Sequence, residues 1–325
     1  MELFLPRNKR DLKDLSKTLE SARFAAKLTG KSVLYHWVDA IFCFFRYGCS
    51  PLQYFEGSFF KLRSFDRDEA YTRKRIQKVR SRYNDRKYEY LLGSKSEFNK
   101  LFADFLKRDW IDCKTASAAE IEDFVRKTGR CLMKPTDGGK GKGIKEINIE
   151  DAKEVSLFCA GNNYILEEFI IQHPKMSFNN KSVNTLRMMT IMDSSGEVHL
   201  IKVGFRCGIG DSVVDNFCAG GVIYPVDIQY GRISAPGATN TLGQQAYVHP
   251  GTDIFMVGQE IPFWKETVDF VKETAKRIPQ VRFVGWDIAI TSDGPVLIEG
   301  NEYPGVIIES LSMKHGIYKE MMSYK

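Results

Sequence analysis

The chain has 325 residues, of which 43% are hydrophobic and 27% charged, and these fractions exclude wholesale disorder. Its formal charge of +6 is uneven, because residues 1–95 carry 21 Lys and Arg against 11 Asp and Glu, whereas residues 96–325 carry 26 against 30. No apolar run is long enough to span a membrane and the seven cysteines form no Cys-x-x-Cys pair, so we expect a reduced, cytoplasmic chain without structural zinc.

Residues 1–94 form the first predicted region, a helical and basic segment. Its densest apolar run, 33–45, is interrupted by His36 and Asp39. The run is too short to cross a bilayer, which favours a buried helix over an interfacial one. Basic residues are concentrated at 73–87, where either a solvated helix face or contact with an anionic polymer or membrane surface fits the charge. We expect no nucleic acid partner.

Three further helices are predicted downstream. Amphipathic spacing indicates helices over 96–106 and 119–128, and a proline in the first turn begins a third over 262–278. The residues of this third helix that are predicted to face a core are Phe263, Val271 and Ile278.

From residue 130 onward, short alternating segments between glycine turns are typical of strands. The predicted strands cover 131–134, 164–171, 186–192, 198–205, 283–290 and 295–301. Strands mixed with helices predict an α+β fold.

The last two strands form the most informative segment. They flank Ser292–Gly294, which is typical of a three-residue hairpin loop with glycine in a left-handed position. That loop places Thr291 opposite Pro295, and counting back along both strands places Asp287 opposite Glu299. Opposed carboxylates repel each other, so a cation between them is expected.

Alternation along the second strand also places Asn301 on the face of Glu299, while Trp286 and Ile288 face a core. Carboxylate and amide oxygens are ligands for a hard cation such as Mg²⁺, especially beside substrate phosphates. The sequence therefore predicts a magnesium site at Asp287, Glu299 and Asn301. The alternative is a pair of exposed acids on a solvated hairpin.

A second candidate segment begins with a short apolar strand that ends at Lys134. A glycine-rich loop follows, with Gly138, Gly139, Gly141 and Gly143 interleaved with Lys140 and Lys142. Such a loop allows backbone amides to approach an anion, while a lysine neutralises phosphate charge. The spacing matches neither a Walker A loop nor a Rossmann fingerprint, and a flexible hairpin is the alternative.

Two other segments carry candidate ligands. In the segment 164–170, a short apolar strand is followed by Glu167 and Glu168. Such acids fit either the surface end of a strand or a site for an adenine edge. Arg187 and Arg206 lie on apolar strands, where each needs either a bound carboxylate or phosphate or a structural Arg–Asp pair. An Asn-x-x-x-Gly-Gly motif follows at 216–221.

The order of these motifs resembles the ATP-grasp superfamily. The shared series is Lys-Pro with a glycine-rich loop, Ile-Leu-Glu-Glu-Phe-Ile, Asn-Thr-x-Arg, Asn-x-x-x-Gly-Gly, Gly-x-Asp and Glu-x-Asn-x-x-Pro-Gly. The later motifs are most similar to the branch that ligates glutamates to proteins. Longer stretches resemble the sugar-transfer-associated subgroup, and these are 47–54, 172–174, 182–187 and 249–252.

The resemblance implies an ATP-grasp fold of two α+β subdomains that hold ATP between them. The implied domain covers 95–325, with a smaller lid-bearing subdomain at 95–165 and a metal-binding subdomain at 166–325. The segment at 1–94 stands where many relatives have a Rossmann-like domain.

The resemblance also implies roles for individual residues. Lys134 and Lys95 would contact ATP phosphates beneath the lid at 138–143, and it stays open which of Lys140 and Lys142 joins them. Glu167, with the backbone of Glu168 and Ile170, would hold adenine. Mg²⁺ would bind Asp287, Glu299 and Asn301, while the phosphate and acyl phosphate would meet Arg187, Arg206 and Asn216.

The implied activity is an ATP-dependent carboxylate–amine ligase that works through an acylphosphate. Its substrates would be a small-molecule or saccharide carboxylate and an amine such as an amino acid, in saccharide or cell-surface polymer biosynthesis. One alternative is an ATP-grasp kinase that phosphorylates its acceptor directly, and another is a non-catalytic nucleotide-binding module.

Overall fold

The structure is a computed structural model that describes residues 9–138, 141, 143–178, 182–208, 221–239, 245–305 and 317–325. The chain divides into a helical unit and a sheet unit. The helical unit comprises 1–82, 241–244 and 305–325, and the sheet unit comprises 83–240 and 245–304. Among the helices in the described ranges, none combines the length and hydropathy that crossing a membrane requires.

The predicted helical N-terminal segment is confirmed. Its helices, with a short one near the C-terminus, are α1 (Lys9–Thr29), α2 (Val33–Tyr47), α3 (Pro51–Glu56), α4 (Ser64–Glu69), α5 (Arg73–Tyr83) and α12 (Tyr318–Ser323). Ser32 caps α2 by accepting a hydrogen bond from the Tyr35 N–H, and Gly48 ends it with a φ of 68°.

The helix α2 forms where the apolar run predicts it, but the prediction that it is buried is wrong for one of its faces. Its buried side chains are His36, Ala40, Cys43 and Tyr47. The polar interruptions are satisfied inside the unit, since His36 lies 3.2 Å from the Tyr54 hydroxyl and Asp39 accepts two hydrogen bonds from Arg67. Mostly small and polar side chains thus face the core, together with Tyr47, whereas six large apolar side chains of α2 remain exposed.

The basic helix α5 combines exposed and buried cations. Arg73, Lys74 and Lys78 are exposed. Arg75 is buried, and its guanidinium donates to the carbonyl oxygens of Arg67 and Ala70, both at 2.7 Å. The basic residues of α5 therefore do not form a uniformly solvated face.

The described part of the sheet unit has six α-helices, besides short 3-10 turns. They are α6 (Tyr90–Gly93), α7 (Lys95–Leu101), α8 (Ala103–Leu106), α9 (Ala118–Thr128), α10 (Ala152–Cys159) and α11 (Trp264–Lys276). The helix predicted over 96–106 is split at Phe102, yet Phe98, Phe102 and Leu106 are buried as the apolar stripe predicts.

Helix α11 confirms two of its three predicted core residues. Val271 and Ile278 are buried, but Phe263 is 38% exposed. Phe263 precedes the first turn in a left-handed conformation with a φ of 54°, which directs its side chain away from the buried stripe of the helix.

A four-stranded sheet, the small sheet, carries the first group of strands. Its members are β1 (Trp110–Asp112), β2 (Arg130–Pro135), β3 (Lys145–Asn148) and β4 (Tyr164–Glu168), in the antiparallel order β1-β4-β2-β3. One face packs on α9 and α10 through a core that includes Cys131, Met133 and Leu166. By alternation, Leu132 and Lys134 point to the other face.

An eight-stranded sheet, the large sheet, carries the rest. Its strands are β5 (Thr185–Met192), β6 (Val198–Cys207), β7 (Val222–Asp227), β8 (Arg232–Ile233), β9 (Gly237–Ala238), β10 (Gln245–Ala246), β11 (Phe283–Thr291) and β12 (Gly294–Asn301). The order is β10-β9-β7-β6-β5-β11-β12, with β8 paired to β7. Trp286 and Ile288 lie in its core as predicted, and the α+β class is confirmed.

Candidate functional site

A cleft of about 440 Å³ lies within the sheet unit, between residues of the two sheets and the α6–α7 segment. Its charged lining residues are Lys95, Arg108, Lys134, Glu167, Glu168, Arg206, Asp287, Glu299 and Glu302. Its apolar lining residues include Leu132, Ile144, Ile170, Val183 and Ile298. Charges of both signs thus share one concave site with an apolar surface, which is the usual character of a ligand cleft.

The small-sheet side of the cleft holds the Glu167 cluster, formed by Glu167, Lys134, Arg108 and Asn99. The Glu167 carboxylate accepts hydrogen bonds from Lys134 Nζ at 2.5 Å, Asn99 Nδ2 at 2.7 Å and the Arg108 guanidinium at 3.2 Å. Burial alone would raise the pKa of Glu167, but the two cations hold this pKa well below its usual range. One carboxylate between two cations leaves the cluster with an excess positive charge.

Strand register explains how this cluster assembles. Glu167 on β4 lies opposite Leu132 on β2, two residues from Lys134 on the same face. Arg108 follows α8 and also donates to the Leu297 carbonyl oxygen on β12 at 2.5 Å. Arg108 therefore connects a residue of the small sheet to a strand of the large one.

The large-sheet side holds the Asp287 cluster, formed by Asp287, Arg187, Arg206, Glu299 and Asn301. Register places Glu299, Asp287 and Arg187 directly opposite one another on β12, β11 and β5. Arg187 donates to both Asp287 oxygens, at 2.5 and 2.8 Å, and Arg206 donates to one of them at 2.8 Å. Both arginines therefore form the Arg–Asp contact that was the structural alternative, and binding of a carboxylate or phosphate by them stays a prediction.

The two carboxylates of this cluster have opposite pKa shifts. Burial alone would raise the pKa of Asp287, but Arg187 and Arg206 hold this pKa well below its usual range. Glu299 is open to the cleft, yet the surrounding protein and the Asp287 carboxylate raise the pKa of Glu299. Ionised Glu299 thus carries a negative charge that the arginines do not fully offset.

The oxygen atoms of this cluster fit a hard cation. Asn301 Nδ2 donates to Glu299 Oε1 at 3.2 Å, so both side chains lie on one face, as alternation predicts. Glu299, Asn301 and Asp287 together offer carboxylate and amide oxygens beside a cleft that also contains lysines. A Cβ at residue 285 would lie 2.9 Å from Pro304 Cβ and 3.2 Å from Arg187 Cδ, so Gly285 leaves room for both side chains.

The β11–β12 hairpin confirms the predicted pairing of Asp287 with Glu299 by an unpredicted route. Thr291 pairs with Gly294, so the loop has two residues and the predicted pairing of Thr291 with Pro295 is wrong. A β-bulge then adds Ile298 to β12, between the pairs that Leu297 and Glu299 form. As a result Leu297 is in the core, while Ile298 and Glu299 both line the cleft.

The glycine-rich loop and Lys95 lie at the rim of the same cleft. Lys95 Nζ donates to the Gly138 carbonyl oxygen at 2.9 Å, and burial, reinforced by Lys134, lowers the pKa of Lys95. Gly138, Gly141 and Gly143 all have positive φ. At Gly143, φ is 78° and an added Cβ would lie 2.9 Å from Pro135 Cγ, so this turn requires glycine.

Most residues that the sequence singles out are therefore close together. Those that line the cleft are Lys95, Lys134, Gly138, Gly141, Glu167, Glu168, Ile170, Arg206, Asp287, Glu299 and Asn301. Arg187 adjoins them through Asp287, and Gly143 belongs to the same loop. Four lie outside the described residues, namely Gly139, Lys140, Lys142 and Asn216.

Sequence reasoning missed two members of the Glu167 cluster. Asn99 is buried and lies one turn from Phe102 within the apolar stripe, so its position on that face was a usable signal. Arg108 sits in a polar stretch after α8, and no local pattern distinguishes it from a surface arginine.

One family model matches the chain. A family model described as sugar-transfer associated ATP-grasp matches residues 145–325, more than half of the chain. No match was found among curated proteins.

Several solved structures are similar to this chain. ATP-grasp ligase PsnB, complexed with precursor peptide PsnA2 and AMPPNP, is 13% identical with a TM-score of 0.46, over 74% of this chain and 61% of that one. D-alanyl-alanine synthetase A from Vibrio cholerae is 12% identical with a TM-score of 0.41, over 71% of this chain and 63% of that one. N5-carboxyaminoimidazole ribonucleotide synthetase from Thermotoga maritima is 13% identical with a TM-score of 0.41, over 71% and 49%. The chain thus spans less than two thirds of the length of each.

Proposed function

The chain belongs to the sugar-transfer associated ATP-grasp family, and from that premise we propose that it is an ATP-dependent carboxylate–amine ligase. The observation that carries the proposal is the pairing of two charged clusters in one cleft. The Glu167 cluster has an excess of positive charge, and the Asp287 cluster has oxygen ligands for a cation. Together they suit a polyphosphate bound with its metal ion.

ATP would lie along the cleft with its base toward the small sheet. The backbone of Glu168 and Ile170 would meet the adenine edge, and Leu132, Ile144 and Ile298 offer apolar contacts to its ring. Glu167 would belong to this adenine site, with its carboxylate held by Lys134 and Arg108.

Phosphates would meet Lys134, Lys95 and the loop at 138–143. A lysine ammonium has three donors, so Lys134 can keep its contact with Glu167 while it donates to a phosphate oxygen. Positive φ at Gly138, Gly141 and Gly143 supports the role of a close-fitting phosphate loop, to which Gly139, Lys140 and Lys142 would also contribute.

Glu299, Asn301 and Asp287 would hold Mg²⁺. When bound, the ion would neutralise phosphate charge and fix the phosphates for in-line transfer. The raised pKa of Glu299 supports this role, since a neighbouring cation favours the ionised carboxylate that the ligand-free cluster disfavours.

The proposed reaction has two steps. An acceptor carboxylate oxygen attacks the γ-phosphorus of ATP, the bond to the β-phosphate oxygen breaks, and ADP leaves. The amine then attacks the acyl carbon of the acylphosphate, loses a proton and expels inorganic phosphate. Arg187 and Arg206, which are hydrogen-bonded to Asp287, would orient the phosphoryl and acyl oxygens. Asn216 would contribute to the same role.

We further propose the setting of this activity. The acceptor would be a saccharide or small-molecule carboxylate and the amine an amino acid, in saccharide or cell-surface polymer biosynthesis. The six described cysteines are buried thiols outside any disulfide, which supports a reducing, cytoplasmic location. We also propose that the chain consists of a helical basic segment at 1–94, a lid-bearing subdomain at 95–165 and a metal-binding subdomain at 166–325.

Hydroxylamine trapping tests the chemistry directly. The protein is incubated with ATP, Mg²⁺, hydroxylamine and a panel of uronic and amino acids, and hydroxamate is measured with ADP. A hydroxamate that appears in step with ADP supports an acylphosphate. ADP release with a phosphorylated hydroxyl and no hydroxamate would identify a kinase instead. The Glu299→Gln variant is the matched control for contaminating ATPases.

A further inference from the structure

Helix α2 presents a continuous apolar surface to solvent. This α2 apolar face consists of Leu34, Tyr35, Val38, Ile41, Phe42 and Phe45. Leu34 is 72% exposed, Val38 61% and Phe45 76%. Their spacing of three, four or seven residues places the six side chains on adjoining positions of one side of the helix. Clusters of exposed large apolar residues mark interaction surfaces in soluble domains.

The orientation of this face is fixed by the opposite side of α2. His36, Ala40 and Cys43 are fully or almost fully buried in the core of the helical unit. Asp39 is the one acidic residue in the α2 sequence, and Arg67 and the Tyr54 hydroxyl bind its carboxylate at 2.6 to 2.8 Å. The helix therefore shows solvent an apolar surface with its carboxylate already neutralised.

Cations border the α2 apolar face. Lys31 is exposed in the α1–α2 connection, and Arg46 is exposed in the last turn of α2, 3.7 Å from Asp68. The Lys31 ammonium lies 4.0 Å from the centre of the Tyr35 ring and donates to its hydroxyl at 2.8 Å. Long basic side chains beside an apolar face can keep their charge in water while their stems cover apolar surface.

We propose that the α2 apolar face docks on an anionic lipid membrane, with the helix lying in the plane of the interface. An apolar side rich in Phe and Leu with a basic border is the pattern of interfacial helices. At about 1.5 Å per residue, the 15 residues of α2 span less than the bilayer core, so the helix lies on the membrane rather than through it.

Charge favours lipid over a second copy of the chain. The helical unit carries 21 Lys and Arg against 11 Asp and Glu. Anionic lipid headgroups attract such a unit, whereas a dimer through α2 would bring two units of like charge together. The proposal concerns the helical unit and does not depend on the ligase activity.

Vesicle flotation with the full chain tests the proposal. Wild type is mixed with phosphatidylcholine vesicles that contain either no phosphatidylserine or about 30% of it, the anionic lipid of the cytoplasmic leaflet. We expect binding to the anionic vesicles that weakens with added salt. The double variant Phe42→Ser and Phe45→Ser should partition at least ~10-fold more weakly, because two exposed aromatic anchors are lost.

A matched control replaces apolar residues of similar exposure in the sheet unit. Leu157→Ser with Phe158→Ser, on α10, should bind vesicles as wild type does. Circular dichroism confirms that both double variants are folded. Failure of wild type to bind either vesicle, or equal binding by the Phe42 and Phe45 variant, would overturn the proposal. So would sedimentation data that show a dimer abolished by that variant, because the face would then be a self-interface.

Discussion

Both units of the molecule contain an aspartate in a bidentate contact with an arginine, but the surroundings of the two aspartates differ. In the helical unit, Asp39 meets Arg67 and the Tyr54 hydroxyl, so one negative charge is matched by one positive charge. In the sheet unit, Asp287 meets two arginines and lies opposite a second carboxylate, Glu299.

The difference separates a structural ion pair from a candidate site. Partners hold the pKa values of both Asp39 and Asp287 below their usual range, although burial alone would raise them. Only the Asp287 cluster adds a carboxylate with a raised pKa that opens into a cleft. A buried Arg–Asp pair is therefore a poor indicator of function by itself, whereas an adjoining acid that the pair does not neutralise is informative.

The largest expected effect breaks the structural pair. Asp39→Asn should lower the free energy of unfolding by about 3 kcal/mol, because it leaves Arg67 largely buried without a counter-charge. Asp287→Asn should cost less, since the Glu299 carboxylate can take over the arginines. Urea unfolding of both variants checks the order, and an equal or larger loss for Asp287→Asn would contradict the comparison.

The second test breaks the candidate site. Glu299→Gln should reduce ligase turnover in Mg²⁺ by at least ~10²-fold, as expected for the loss of one key electrostatic group. Its ligand-free melting temperature should be unchanged or higher, because the raised pKa means that ionised Glu299 costs stability at neutral pH. Glu154→Gln on α10 is the exposed control, and normal turnover by Glu299→Gln would remove the metal assignment.

A third test addresses the Glu167 cluster through ligand-induced stabilisation. At ATP-Mg concentrations near a hundred times the dissociation constant, the fold should gain about 2.7 kcal/mol by mass action. Lys134→Ala should lose most of the resulting rise in melting temperature. Lys153→Ala, an exposed lysine on α10, should keep it. A full rise in the Lys134 variant would show that this lysine is not a phosphate ligand.

The smallest contrast lies within α5 of the helical unit. Arg75→Gln should lower the free energy of unfolding by about 2 kcal/mol, because the carbonyl groups of Arg67 and Ala70 lose a charged donor. Arg73→Gln with Lys78→Gln should stay within about 0.5 kcal/mol of wild type, since both side chains are exposed. Equal effects in thermal melts would mean that exposure does not distinguish these cations.

Local pattern was sufficient to predict much of the large sheet. Alternation and a glycine turn identified β11 and β12, and the pairing of Asp287 with Glu299 is correct. That success needed two errors of one residue to cancel, since the loop is shorter than predicted and the bulge at Ile298 restores the count. Neither feature is visible in the period-two pattern, because a bulge is fixed by packing on both faces.

Contacts between distant segments were beyond such reasoning. Arg187 meets Asp287 across 100 residues, and Arg108 meets Glu167 across 59. No local signal sets either partner. The prediction that α2 is buried was wrong for a related reason, because the partners that satisfy His36 and Asp39 lie on α1, α3 and α4.

The bulge at Ile298 also bears on how this hairpin can change during evolution. Loss of Ile298 would restore strict alternation and turn either Leu297 or Glu299 to the opposite side of β12. Residues added between Ser292 and Asp293 would extend the loop outward and leave the pairs below it unchanged. Insertions and deletions in descendants of this chain should therefore be tolerated at the tip of the hairpin and selected against at the bulge.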